Sequence, residues 1–129
     1  AKIRKAPVFP ENSQLILRYD YGFAYLVFEQ AKHDDFVHYY RVVITPIDSD
    51  IEGTPIEFRF IGNFYRTKQN RDTRLVFRMP PNTLEAGKRY RIDLYPVETF
   101  GNEGTPLSID IVTVDTYKFR NVAEIGPQE

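Results

Sequence analysis

Apolar and polar residues alternate with a period of two along most of the chain, and no stretch of ten or more residues shows the 3.6-residue period of an amphipathic helix. One clear example is the run in which Tyr90, Ile92 and Leu94 alternate with Arg91 and Asp93. A strand directs successive side chains to opposite faces, so this period is typical of strands that are buried on one face. The pattern therefore predicts an all-β chain.

Turn-forming residues divide the alternating stretches into about seven predicted strands. They lie at residues 14–19, 23–30, 38–46, 56–62, 73–79, 89–97 and 106–114. Pro46 is expected to end the third strand, and residues 48–55 to form a long hairpin loop. Short alternating strands separated by turns are typical of an antiparallel sandwich of two sheets. We therefore expect a two-sheet sandwich.

The length of 129 residues suits one domain with one hydrophobic core. We expect an N-terminal linker and lead-in at residues 1–13, the sandwich at 14–115 and a partly packed tail at 116–129, where Tyr117 and Phe119 offer apolar surface. Because the chain begins at Ala1 without an initiator Met, we expect it to be a fragment of a larger protein.

Charge and cysteine content exclude several classes of function. The 18 acidic and 17 basic residues nearly cancel and are interspersed, which predicts no nucleic-acid partner and no anionic membrane surface. No apolar run approaches the ~20 residues of a membrane-spanning helix. The absence of cysteine excludes disulfides, zinc-thiolate sites and thiol nucleophiles.

The stretch 84–97, LEAGKRYRIDLYPV, predicts a tyrosine corner. In such a corner Tyr90 would bury its ring while its hydroxyl bonds a backbone group a few residues upstream. Leu84, six residues earlier, would pack beside it, and Gly87 suits the tight bend. This stretch resembles the fibronectin type III family, an immunoglobulin-like fold, with Phe28 at the position where the family usually has Trp.

A narrower resemblance rests on four segments: APVFP at 6–10, FEQAKHDDFVHYYRV at 28–42, FY at 64–65 and VETFGN at 97–102. Together they resemble the C-terminal accessory domain of bacterial calcineurin-like metallophosphoesterases. The resemblance implies a non-catalytic module of an exported, extracytoplasmic protein whose catalytic domain is separate. It also implies a partner in the neighbouring domain of the same polypeptide.

Catalytic chemistry is not expected in this chain. A two-metal phosphoesterase centre needs several ligands to hold cations about 3.5 to 4 Å apart. The only histidines are His33 and His38, and neither lies in an Asp-x-His or Gly-Asn-His-Asp motif. No serine lies in a nucleophile motif and no glycine-rich phosphate loop is present. We therefore predict no catalytic residue, no cofactor and no metal.

Two acidic segments contain candidate cation ligands. Asp48, Asp50 and Glu52 alternate as in a calcium loop, but Arg59 stands where the closing carboxylate belongs, so an acidic hairpin is the preferred interpretation. The segment with Asp34 and Asp35 is interpreted as loop structure or as an interdomain contact.

A possible interface combines that loop with outward positions of the third and sixth predicted strands. Its residues are Tyr39, Val43, Tyr95, Val97, Phe100, Asp34 and Asp35. Three interpretations remain open: an apolar patch that docks on a catalytic domain, unrelated surface side chains, or tyrosines that stack on a sugar ring. The corresponding functions are an accessory domain of a metallophosphoesterase or, alternatively, a carbohydrate- or protein-binding adhesive module of a cell-surface protein.

Overall fold

A computed structural model describes residues 6–20, 23–32, 37–48, 51–61, 74–85, 87–115 and 118–121. These residues form nine strands and no helix. The strands are β1 (Ile16–Asp20), β2 (Phe23–Glu29), β3 (Val37–Asp48), β4 (Ile51–Glu52), β5 (Ile56–Phe60), β6 (Arg74–Arg78), β7 (Arg89–Glu98), β8 (Leu107–Asp115) and β9 (Lys118–Asn121). All seven predicted strands are present close to their predicted bounds, so the all-β prediction is confirmed.

The strands form two antiparallel sheets. The smaller sheet has the order β1-β2-β6, and the larger has the order β4-β3-β7-β8-β9, with β5 also paired to β3. Every strand pair that the structure describes is antiparallel. Two such sheets packed face to face form an immunoglobulin-like sandwich, as the sequence predicted.

The third strand differs from its prediction at the C-terminal end. β3 continues past Pro46 to Asp48 and then turns into the short strand β4, so residues 48–55 do not form one long loop. Proline is tolerated where a strand has no neighbour on one side. Between the β5 pairing, which ends at Ile44, and the β4 pairing, which begins at Ile47, Pro46 takes part through its carbonyl alone, which accepts a 2.8 Å hydrogen bond from the Gly53 N–H.

Aromatic side chains occupy the centre of the core between the two sheets. Tyr40 of β3 is fully buried, and its ring lies 5.1 Å from that of Phe28 on β2. Phe9 stacks on Tyr40 at 6.1 Å and meets Phe28 edge-on at 6.4 Å, so the three rings form one cluster. The Tyr40 hydroxyl accepts a hydrogen bond of 3.0 Å from the N–H of Ala31, so its polar end is satisfied. Phe28 therefore takes part in the contact between the two sheets.

The segments on either side of the sandwich are part of the packed domain. Phe9 belongs to the core, and the carbonyl of Val8 accepts a 2.7 Å hydrogen bond from the N–H of Lys32. Gly104 approaches the lead-in so closely that a Cβ there would lie 1.9 Å from the carbonyl oxygen of Pro7. At the other end, β9 pairs with β8 and extends the larger sheet by one strand.

Candidate functional site

The predicted tyrosine corner is present before β7. The Tyr90 ring is 3% exposed, and its hydroxyl accepts a 2.8 Å hydrogen bond from the N–H of Glu85, five residues upstream. Leu84 packs against the core, and Gly87 has a φ of +76°, a conformation that side-chain-bearing residues rarely adopt. The three residues thus lie together at the turn into β7.

Thr113 of β8 attaches this corner to the larger sheet, a role that the sequence analysis missed. Its side chain is 1% exposed. Its hydroxyl oxygen accepts a 2.9 Å hydrogen bond from the N–H of Lys88, and the hydroxyl group donates a hydrogen bond to the Glu85 carbonyl. Backbone bonds from the Gly87 N–H to the Thr113 carbonyl and from the Thr113 N–H to the Lys88 carbonyl add to the connection.

The outward positions of the larger sheet that belong to the possible interface are only partly open to solvent. Tyr39, Val43 and Tyr95 are only partly exposed, and Val97 is 3% exposed. The prediction that Val97 is an outward surface residue is therefore wrong. Val97 lies where the chain after β7 folds back, and Glu103 forms a β-bridge with it.

Charged groups cover the two tyrosines of this face. The Arg41 guanidinium lies 4.4 Å from the centre of the Tyr95 ring, and that of Arg59 lies 4.6 Å from the centre of the Tyr39 ring. Cations over aromatic faces are attracted by the negative charge of the ring face. One face of each ring is therefore occupied from within the domain.

Arg41 also joins three parts of the larger sheet by ion pairs. It contacts Glu57 of β5 at 2.6 Å, and its Nε donates to Glu103 at 3.0 Å. Partial burial alone lowers the pKa of Arg41, but hydrogen bonds to these two carboxylates and their negative charges outweigh burial and raise it. The guanidinium is thus held in its charged form beside Tyr95.

The loop between β7 and β8 is organised by one buried carboxylate. Glu98 is 1% exposed, and its Oε1 accepts hydrogen bonds from the N–H groups of Phe100 at 2.8 Å and Asn102 at 3.1 Å. Backbone bonds from the Glu98 N–H to the Asn102 carbonyl and from the Gly101 N–H to the Glu98 carbonyl close the turn. Four hydrogen bonds thus hold the turn that follows β7.

Phe100 projects from the loop that Glu98 holds. It is 70% exposed, the largest value among the exposed large hydrophobic residues of the described chain. A side chain of this size normally gains free energy by leaving water, roughly 1.5–3 kcal/mol when fully buried. The Phe100 ring is therefore held in solvent by a loop that is already ordered. A contact made through this ring would need little further ordering of the loop.

Part of the predicted interface falls outside the described residues. Asp34 and Asp35 lie outside the described residues, as do His33 and Asp50. Val37, which begins β3, pairs with Glu98, which ends β7. His38 is exposed, with its ring 5.3 Å from that of Tyr39. Within the described residues, no group of three or more His, Asp or Glu side chains is arranged to hold a metal ion.

Two further findings concern membrane-spanning segments and known relatives. None of the residues that the structure describes forms a helix of the length and apolar character needed to cross a membrane. Compared with models of known protein families and with curated proteins, the chain has no significant match.

Proposed function

We propose that this domain is a non-catalytic accessory module that docks on a neighbouring domain of the same polypeptide. The observation that supports docking is Phe100, which is 70% exposed on a loop that Glu98 holds in place. Exposed aromatic side chains on preorganised loops are favoured as interface anchors, because little conformational entropy is lost on binding.

The sequence resemblance supports a particular setting for this module. It favours the C-terminal part of an exported, extracytoplasmic metallophosphoesterase whose two metals and reaction belong to a separate domain. In this proposal the sandwich contributes docking or spacing and no catalytic group.

The coverage of the tyrosines bears on the alternative of a carbohydrate-binding module. A sugar ring stacks on an open aromatic face, yet Arg41 lies over Tyr95 and Arg59 lies over Tyr39. Ion pairs of Arg41 with Glu57 and Glu103 hold the first of these guanidiniums in place. These contacts support docking through Phe100 over sugar stacking on the sheet.

Hydrogen exchange tests the docking proposal. We expect the backbone amides of residues 98–103 to exchange more slowly in the protein that includes the upstream domain than in the isolated chain. Phe100→Ser should abolish this difference. Ile61→Ser, which changes a residue 52% exposed just after β5, should leave it intact. Equal exchange of the loop with and without the upstream domain would contradict docking.

The setting is tested separately by reading the coding sequence upstream of Ala1. The proposal expects Asp-x-His and Gly-Asn-His-Asp motifs there, because a two-metal centre requires such ligands. An upstream region without them would rule out the metallophosphoesterase and leave the docking result to stand on its own.

A further inference from the structure

The outward face of the smaller sheet carries an arginine row beside an apolar row. Register places Arg18, Tyr25 and Arg78 side by side on β1, β2 and β6. Two residues along each strand, the same register aligns Ile16, Val27 and Val76, of which Val76 is exposed, Ile16 is partly exposed and Val27 is buried. We call these six residues the smaller-sheet face.

The charges of the arginine row are not neutralised within the described part of the chain. Arg18 and Arg78 are exposed, and among the described residues neither forms an ion pair. Arg78 instead lies 4.7 Å from the centre of the Phe23 ring. On the larger sheet Arg41 contacts two carboxylates and Arg91 contacts Asp110, whereas Arg59 lies over the Tyr39 ring as Arg78 lies over that of Phe23.

Protection of the sheet edges does not account for the whole arrangement. Arginines on β1 and β6 would discourage other chains from pairing with these edge strands. Val76, however, lies between Arg74 and Arg78 on β6 and is 51% exposed. An exposed apolar residue at the centre of an edge strand works against that protection, so a contact surface explains the combination better.

Strand geometry gives the spacing that a partner must match. Neighbouring strands lie about 4.8 Å apart, so the Cα atoms of Arg18 and Arg78 are separated by roughly 10 Å across β2. Residues two apart on one strand are separated by about 6.8 Å, which is the distance between the arginine row and the apolar row. The surface fits two carboxylates roughly 10 Å apart with an apolar side chain beside them.

We propose that the smaller-sheet face binds an acidic segment of a protein partner, with carboxylates on Arg18 and Arg78 and apolar side chains on Val76. Guanidinium groups bind carboxylates in a planar, two-point geometry. A protein fits better than a nucleic acid, because the face pairs only a few cations with an apolar row and the chain has a net charge of −1.

The probe is a soluble 12-residue peptide in which Glu alternates with Val, titrated into the isotopically labelled 129-residue chain. We expect saturable NMR shifts at the amides of Tyr25, Val76 and Arg78 that weaken as salt is raised. Arg18→Gln combined with Arg78→Gln should weaken binding roughly tenfold, since two partly solvated ion pairs are lost. The matched control, Arg59→Gln with Arg91→Gln on the larger sheet, should bind as the unchanged chain does.

Four outcomes would overturn the proposal. They are the absence of saturable shifts on this face, equal binding of a peptide with Lys in place of Glu, equal weakening by the control pair, and tighter binding of a single-stranded oligonucleotide that Arg18 and Arg78 also control. The last outcome would assign the face to phosphate. Unchanged thermal unfolding of both double variants ensures that a loss of binding is not a loss of the fold.

Discussion

Tyr90 shows how a single hydroxyl fixes the crossover into β7. Its ring is buried in the core, and its hydroxyl oxygen accepts a hydrogen bond from the N–H of Glu85, a backbone donor in the turn before β7. The Thr113 hydroxyl accepts a hydrogen bond from the N–H of Lys88, three residues further along the same turn. The corner therefore depends on two side-chain oxygens from different strands.

We predict that Tyr90→Phe lowers the free energy of unfolding by about 1–3 kcal/mol, because the Glu85 N–H loses its acceptor while the ring remains buried. Urea unfolding followed by circular dichroism measures the change. Tyr95→Phe is the matched control, because removing the hydroxyl from this partly exposed ring should lower the free energy of unfolding by at most ~0.5 kcal/mol. Equal effects of the two substitutions would contradict the role given to the hydroxyl.

Glu85 itself should titrate at a lower pH than an ordinary glutamate. The hydrogen bond from the Lys88 ammonium, 2.8 Å from Glu85 Oε2, and its positive charge lower the pKa of the carboxyl. Because the folded pKa is below the unfolded one, the stabilisation is present above the unfolded pKa and is lost as pH falls through the folded value. NMR titration of the Glu85 side chain should show the lowered pKa, and Lys88→Met should restore the ordinary value. An unchanged titration in the variant would exclude Lys88 as the cause.

The loop between β7 and β8 is an element whose shape depends on one acidic residue. Glu98 follows the inward parity of Ile92 and Leu94, so its carboxylate is carried into a buried position at the end of the strand. There it accepts two backbone N–H groups. A buried carboxylate is tolerated when hydrogen bonds compensate the loss of water, and in Glu98 they reach Oε1 alone, since Oε2 is buried without a hydrogen-bond partner among the described residues.

We expect Glu98→Ala to lower the free energy of unfolding by roughly 1–3 kcal/mol, because two backbone donors lose their shared acceptor. The amides of Phe100 and Asn102 should exchange faster with solvent, measured by NMR hydrogen exchange. Glu98→Gln keeps one acceptor oxygen and should preserve more of the protection. If both amides exchange at the same rate in Glu98→Ala as in the unchanged chain, Glu98 does not hold the loop.

The sequence predicted strands well and side-chain partners poorly. Alternation places Ile92 and Leu94 correctly, because the parity of a strand decides its inner face. It also assigned Val97 to the outer face, but the burial of Val97 depends on a chain reversal that brings Glu103 beside it. The contact of Arg41 with Glu57 similarly depends on the register between β3 and β5. Such long-range pairings leave no local signal.

At the scale of the whole molecule, the lead-in before β1 connects parts of the described chain that are distant in sequence. Val8 accepts the N–H of Lys32, which follows β2, and Phe9 enters the core. Pro7 meets Gly104, whose N–H also donates to the carbonyl of Pro96 at 2.9 Å. The segment before β1 thus contacts the chain after β2 and the chain after β7.

Gly104→Ala should be one of the more damaging small substitutions. Its Cβ would collide with the Pro7 carbonyl at 1.9 Å, so backbone must move, and we expect a loss of about 1–3 kcal/mol in the free energy of unfolding. Thermal unfolding measures it. Gly53→Ala is the control, because the nearest atom there is the Pro46 Cβ at 3.3 Å. A larger loss for Gly53→Ala would contradict the close contact with the lead-in.

The contact between Pro7 and Gly104 also has a mechanical consequence. Any polypeptide joined before residue 6 pulls first on the Lys32 to Val8 hydrogen bond and on the Pro7 contact, and only afterwards on β1. Gly104 follows Glu103, which forms the bridge to Val97 at the base of the loop that carries Phe100. A load applied at the N-terminal end of the described chain therefore reaches the base of the loop that carries Phe100 through the contact between Pro7 and Gly104.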